Sequence, residues 1–81
     1  MAGVPRGAVD ACRDTIAAQA VRYGAVRVEA ASAGSLRRAR NGMTQAPIAA
    51  RIVYARSNEL QVRQARVDCR LNVNNQVVAL L

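Results

Sequence analysis

Two cysteines, Cys12 and Cys69, restrict the fold of this 81-residue chain more than any other feature, because each lies within its own apolar pattern. Around Cys12 apolar residues recur every three or four positions, which predicts a helix over residues 7–24. Around Cys69 they alternate with polar residues, which is typical of a strand with one buried face. The two patterns direct both thiols to one core, and we predict a disulfide between them. The apolar stripe of the predicted helix consists of Val9, Cys12, Ile16, Ala20 and Tyr23.

Two alternatives to the disulfide stay open at the level of sequence. Unpaired buried cysteines pack as small hydrophobic side chains. A metal site is the second alternative, but two thiolates in a chain without histidine do not complete a tetrahedral ligand set. A structural disulfide would indicate an oxidising compartment. We therefore expect a periplasmic or secreted protein whose signal peptide has been removed, and the absence of any run of 18 apolar residues predicts no membrane span.

After the predicted helix, the sequence alternates with a period of two between turn signals. Four strands are predicted, over residues 25–31, from Pro47 to the turn at residues 57–58, over 59–71 and over 76–81, with a loop or poorly formed helical turn at 32–45. Val26 and Val28 are expected to share the buried face of the first strand. In the third strand the apolar phase changes between Val62 and Ala65, which predicts a β-bulge near residues 63–64.

The predicted fold class is α+β, with one N-terminal helix packed on one face of a three- to four-stranded antiparallel sheet. Short turns join the last three strands, which favours an antiparallel meander, whereas the first strand could pair at either edge. Residues 1–81 form a single domain in this interpretation, with a flexible N-terminus over residues 1–6. The chain has 17 alanines and neither Phe nor Trp, so its core needs a covalent link or oligomerisation.

The chain is strongly basic, because it contains 12 arginines and only five acidic residues, which gives a net charge of +7. Guanidinium groups stay charged and bind carboxylate or phosphate through paired hydrogen bonds. A solvated face with Arg–Glu29 and Arg–Asp68 pairs, or simple compositional bias, would also account for the arginines. The candidate residues for binding an anion or partner are Arg37, Arg38 and Arg40 in the loop, and Arg27, Arg51, Arg66 and Arg70 on the predicted sheet face opposite the helix.

Catalytic chemistry is not expected from this sequence. Histidine is absent, acids are few, and the chain contains neither a glycine-rich phosphate loop nor a metal signature. Asp10 and Asp14 lie one helical turn apart and could bridge a hard cation. Acids near a helix N-terminus more often interact with the helix dipole or with basic neighbours. We therefore predict a non-enzymatic protein with no cofactor and no metal, and with these two aspartates as the only candidate metal ligands.

The segment Ala11-Cys12-Arg13, together with residues 66–72, a turn and residues 76–80, resembles small exported proteobacterial domains of unassigned function. These domains combine a cysteine-bearing N-terminal helix with a cysteine-containing C-terminal hairpin. The resemblance implies export and an α+β fold, and it does not imply any particular activity.

Three function classes follow from these observations. The first is a non-enzymatic exported binding or interaction module with a basic sheet face or arginine loop for an anionic or protein partner. The second is an intracellular basic protein that binds nucleic acid or an acidic protein. The third is a small metal- or ligand-handling protein that uses Asp10 and Asp14. Specific nucleic-acid binding is not expected, because Tyr23 and Tyr54 are both assigned to apolar faces. An unpaired sheet edge also allows a homo-oligomer.

Overall fold

A computed structural model describes residues 3–81 and confirms the α+β fold. The elements are α1 (Arg6–Ala20), a 3-10 turn (Val21–Tyr23), β1 (Ala25–Ser32), β2 (Arg37–Arg38), a second 3-10 turn (Arg40–Gly42), β3 (Thr44–Arg56), β4 (Glu59–Leu71) and β5 (Val77–Leu80). Helix α1 packs on one face of an antiparallel sheet with the strand order β1-β3-β4-β5. Strands β3, β4 and β5 form the predicted meander, and β1 joins the sheet beside β3. The short strand β2 pairs with the first two residues of β3, past the point where β1 ends.

Helix α1 follows the predicted apolar stripe until its last turn. Ala20 is buried, but the chain then tightens into the 3-10 turn and ends at Gly24, whose φ of 92° lies in the left-handed region that glycine favours. The tighter turn rotates Tyr23 off the stripe, and 68% of this residue is exposed. The placement of Tyr23 in the core was therefore wrong. At the other end of the helix, the Val4 amide donates a hydrogen bond to Ser32 Oγ, and the predicted flexible residues 1 and 2 lie outside the described part of the chain.

A bulge in β1 changes the first strand. The pairing of β1 with β3 shifts between Ala25 and Arg27, so the intervening Val26 leaves the alternation. Val26 is 63% exposed, whereas Val28 is buried under α1. The prediction that both valines share the buried face was wrong for Val26.

The hairpin of β3 and β4 is longer and more regular than the sequence pattern indicates. Strand β3 begins at Thr44, before Pro47, and its pairing with β4 is continuous from Thr44–Leu71 to Arg56–Glu59. The bulge predicted near residues 63–64 was therefore wrong. The apolar phase changes because α1 packs mainly on β1, β3 and β5, and residues 59–66 of β4 are all exposed. Here Leu60 and Val62 lie on the face away from the helix.

The core lies between α1 and the sheet and is centred on the Cys12–Cys69 disulfide. The sulfur–sulfur distance is 2.11 Å, and neither cysteine is exposed. The predicted disulfide is confirmed, and the described residues contain no free cysteine. The largest fully buried side chains are Ile48, Leu71 and the two cysteines themselves. The disulfide therefore occupies the space that large apolar side chains fill in a richer core. The buried residues are Ala8, Val9, Cys12, Ile16, Ala20, Val28, Ala46, Ile48, Ala50, Ile52, Cys69 and Leu71.

Candidate anion-binding site

The four predicted sheet arginines all lie on the face that points away from α1, which we call the open face. Buried residues of β3 such as Ile48 and Ala50 point toward the helix, so the alternate residues of β3 and their cross-strand partners point away from it. The pairing register therefore assigns Arg27, Arg51, Arg66 and Arg70 to the open face, opposite Val53, Glu29, Ala49 and Gln45 respectively.

Glu29 partly neutralises the central part of the open face. Arg27 Nη2 lies 2.8 Å from Glu29 Oε2, and Arg51 Nη1 lies 3.9 Å from Glu29 Oε1. A shallow depression of about 560 Å³ lies beside these pairs, over the small side chains of Ala31 and Ala49. The groups are well exposed, so each pair contributes little to stability. This part of the face matches the expectation of a solvated surface with Arg–Glu29 pairs.

A different environment surrounds Arg70. This residue lies near the C-terminal end of β4, far from the turn that joins β3 to β4. The loop before β3 turns back tightly there, since Asn41 and Gly42 both have positive φ (61° and 73°). Two backbone hydrogen bonds close the loop, from the Ala39 amide to the Met43 carbonyl and from the Met43 amide to the Arg40 carbonyl. The turn brings the loop arginines to the end of β4. The resulting Arg70 pocket has a volume of about 430 Å³ and is lined by Arg38, Ala39, Arg40, Asn41, Met43, Gln45 and Arg70.

Arg70 is half-buried and incompletely hydrogen-bonded. Its Nη2 donates to Gln45 Oε1 at 3.3 Å, but its buried Nε has no hydrogen-bond partner within residues 3–81. A buried polar group without a partner is costly, and the cost is larger for a charged group. Such a donor needs an acceptor, and an oxygen of a carboxylate or phosphate is the strongest one for a guanidinium.

The Arg70 pocket also lacks neutralising acids. Across residues 3–81, every ion pair involves Arg13, Arg27 or Arg51, so no carboxylate lies within 4.0 Å of Arg38, Arg40 or Arg70. Asp68 precedes Arg70 by two positions on the open face and forms none of these pairs. The residues that line the pocket thus include three arginines and two residues with a side-chain amide, Asn41 and Gln45. It contains no nucleophile and no general base.

The predicted loop cluster is only partly brought together. Arg38 and Arg40 line the pocket, whereas Arg37 does not, although its pairing opposite Gln45 places it on the same side of the sheet as Arg70. The predicted loop also contains β2, which was not expected. Sequence reasoning missed Gln45, because nothing in the period-two pattern marks it as a partner of Arg70.

The remaining candidate residues lie elsewhere. Asp14 forms an ion pair with the neighbouring Arg13 at 2.8 Å. Asp10 is exposed, and the described residues contain no group of three His, Cys, Asp or Glu side chains that could hold a metal ion. Tyr54 is partly buried and has the Arg56 guanidinium 4.8 Å from the centre of its ring. None of the helices in residues 3–81 has both the length and the apolar character that crossing a bilayer requires.

Comparisons with known proteins do not assign the chain to a family. No family model matches the sequence, and no curated protein and no solved structure shows significant similarity to it. The chemistry of the Arg70 pocket is therefore inferred from its own residues.

Proposed function

We propose that this protein is a non-enzymatic, exported binding module that holds an acidic group of a partner protein in the Arg70 pocket. The observation that carries the proposal is the buried Arg70 Nε without an acceptor, beside two arginines without ion pairs. A carboxylate in the pocket would accept hydrogen bonds from Arg70 side-on and would be attracted by Arg38 and Arg40. Hydrogen bonds to charged groups stabilise by about 1.5–3 kcal/mol each, which is enough to fix the position of a bound carboxylate.

The disulfide supports the exported part of the proposal. Cys12 and Cys69 are linked and fully buried, and structural disulfides persist mainly in oxidising compartments. The mass of the protein isolated from its native source, measured before and after reduction, tests this point. A gain of two hydrogens on reduction is expected, and an unchanged mass would contradict export.

An acidic protein fits the surface better than nucleic acid does. Binding of single strands usually combines phosphate contacts with stacking of bases on exposed aromatic side chains. The exposed Tyr23 lies beside the far end of β3, where Arg56 donates a hydrogen bond to its carbonyl. Gln45 and Arg56 are separated by most of the length of β3, which spans roughly 3.4 Å per residue. The described aromatic side chains therefore lie far from the Arg70 pocket.

Binding of a fluorescent oligoglutamate peptide, measured by anisotropy at low and high salt, tests the function. Arg40→Ala removes one pocket charge, and Arg70→Lys keeps the charge but removes the Nε donor. Each variant is expected to weaken binding about tenfold, a loss of roughly 1.4 kcal/mol. Arg22→Ala is the matched control, because it also removes one charge from an exposed site and should change affinity less than about twofold.

Two outcomes would refute the proposal. Equal weakening by Arg40→Ala and Arg22→Ala would show that only net charge matters. Duplex DNA that binds more tightly than the peptide and resists high salt would favour the nucleic-acid class instead. Circular dichroism of each variant establishes that it is folded before its affinity is compared.

A further inference from the structure

Strand β4 has an open edge along much of its length. Its 13 residues pair with β3 on one side, whereas on the other side β5 covers only its last part, from Cys69 to Leu71. Leu81 extends this cover to Asp68 through two backbone hydrogen bonds. From Glu59 to Val67, no other strand within residues 3–81 pairs with this edge.

The backbone groups that point out of this edge can be identified. Residues of an antiparallel strand direct their N–H and C=O groups alternately to one neighbour and the other. Asp68 directs both groups to Leu81, at 3.1 and 2.9 Å, so the residues in phase with it point toward the open edge. These are Leu60, Val62, Gln64 and Arg66. Leu60 and Val62 also expose 67% and 46% of their surface.

We propose that a second copy of this chain docks on this edge, with β4 antiparallel to β4 around a two-fold axis. A regular open edge with apolar side chains is a template for pairing with another strand. A two-fold axis makes the contact self-complementary, so each subunit contributes the same residues. The pairing joins the two sheets into one and leaves the Arg70 pocket of each subunit free.

Charge and side-chain pairing select one register. Residues that face each other across two antiparallel strands share a face of the sheet, so the axis must lie midway between one residue of β4 and the same residue of the second copy. An axis at Gln61 places Glu59 opposite Arg63 of the second copy, and Leu60 opposite its Val62. Both pairs occur twice. Opposite charges and apolar pairs at such positions stabilise a sheet.

The neighbouring registers are less favourable. An axis at Arg63 sets the two Arg63 side chains directly against each other, which is destabilising. An axis at Val62 places Arg63 of one copy opposite Gln61 of the other and leaves Glu59 without a basic partner. Axes from Gln64 toward the Leu71 end of β4 set a residue of the second copy opposite Asp68, whose backbone groups are already bonded to Leu81.

The contact covers one short edge, so the interface is small and the association is expected to be weak, with a dissociation constant on the order of 100 µM. Sedimentation equilibrium of the whole 81-residue protein, from micromolar to millimolar concentration at low salt, measures it. Arg63→Glu places like charges opposite each other twice and should weaken association at least tenfold. The swap Glu59→Arg with Arg63→Glu restores both pairs and should recover the wild-type affinity.

Two further variants separate edge pairing from general effects. Val62→Pro removes an N–H at the open edge that does not bond to β3, so it should abolish dimerisation while the hairpin remains. Arg22→Glu makes the same charge change as Arg63→Glu away from the edge and should leave association unchanged. A protein that stays monomeric at millimolar concentration would overturn the proposal, as would a dimer that Val62→Pro does not weaken. Failure of the charge swap to recover affinity would overturn the register.

Discussion

Loss of the Cys12–Cys69 disulfide should remove much of the stability of this fold. The cysteines are separated by 57 residues, and the chain-entropy model assigns roughly 4 kcal/mol to closing such a loop in the unfolded state. A chain of this length has an expected free energy of unfolding of about 4–12 kcal/mol. Reduction should therefore remove about a third or more of the free energy of unfolding.

The replacement of both cysteines by alanine should cost more than reduction. Both side chains are fully buried and are among the largest fully buried side chains in the core. Removal of the sulfur atoms leaves space that the surrounding Ile48 and Leu71 must fill, and cavities in cores reduce stability. The double variant is thus expected to be less stable than the reduced protein, which keeps both sulfur atoms.

Urea denaturation of the oxidised protein, the reduced protein and the Cys12→Ala/Cys69→Ala variant measures both contributions. The denaturant dependence of the unfolding free energy must be compared as well, since a disulfide also restricts the unfolded state. A difference below about 1 kcal/mol between the oxidised and reduced proteins would refute the loop-closure argument. A double variant as stable as the reduced protein would refute the packing argument.

Three smaller perturbations follow from the packing, each checked by the free energy of unfolding in urea. Ile48→Ala empties a fully buried position and should cost about 2–5 kcal/mol, and a loss below 1 kcal/mol would contradict its central place in the core. Gly24→Ala should cost about 1 kcal/mol because the residue has a φ of 92°, whereas the 2.8 Å approach of its Cβ to Arg56 Nη1 can be relieved by a shift of that flexible side chain. Gly7→Ala is its control, since a Cβ on this helical glycine meets nothing within 4 Å, and it should stabilise by about 0.5–1 kcal/mol. Glu29→Gln removes two exposed ion pairs and should cost less than about 1 kcal/mol, with a smaller cost at high salt, and a larger cost would show that the open face is not a solvated surface.

The disulfide and the helix could be predicted because each rests on a periodicity of many residues. The apolar residues around Cys12 recur with the period of a helix, and those around Cys69 with the period of a strand, so the sequence alone assigns both cysteines to the core. The pairing order of the meander could be predicted because short turns join its strands. These features depend on local sequence alone.

The errors arise where tertiary packing overrides a local pattern. Val26 continues an alternation that the bulge in β1 breaks, and Tyr23 continues a helical stripe that the 3-10 turn ends. Leu60 and Val62 indicate a bulge only if the helix covers all of β4, and the extent of that cover is a tertiary property. The Arg70 pocket depends on the left-handed turn at Asn41, which brings residues distant in sequence together.

Cys69 and Arg70 are consecutive residues of β4, so their side chains project from opposite faces of the sheet. The disulfide therefore anchors the backbone directly beneath the guanidinium of Arg70 to helix α1 on the other side. This tether limits the motion of the β4 backbone at Arg70 before any ligand arrives. An anion that binds there meets a preorganised donor, and less conformational entropy is lost than on a freely moving strand end.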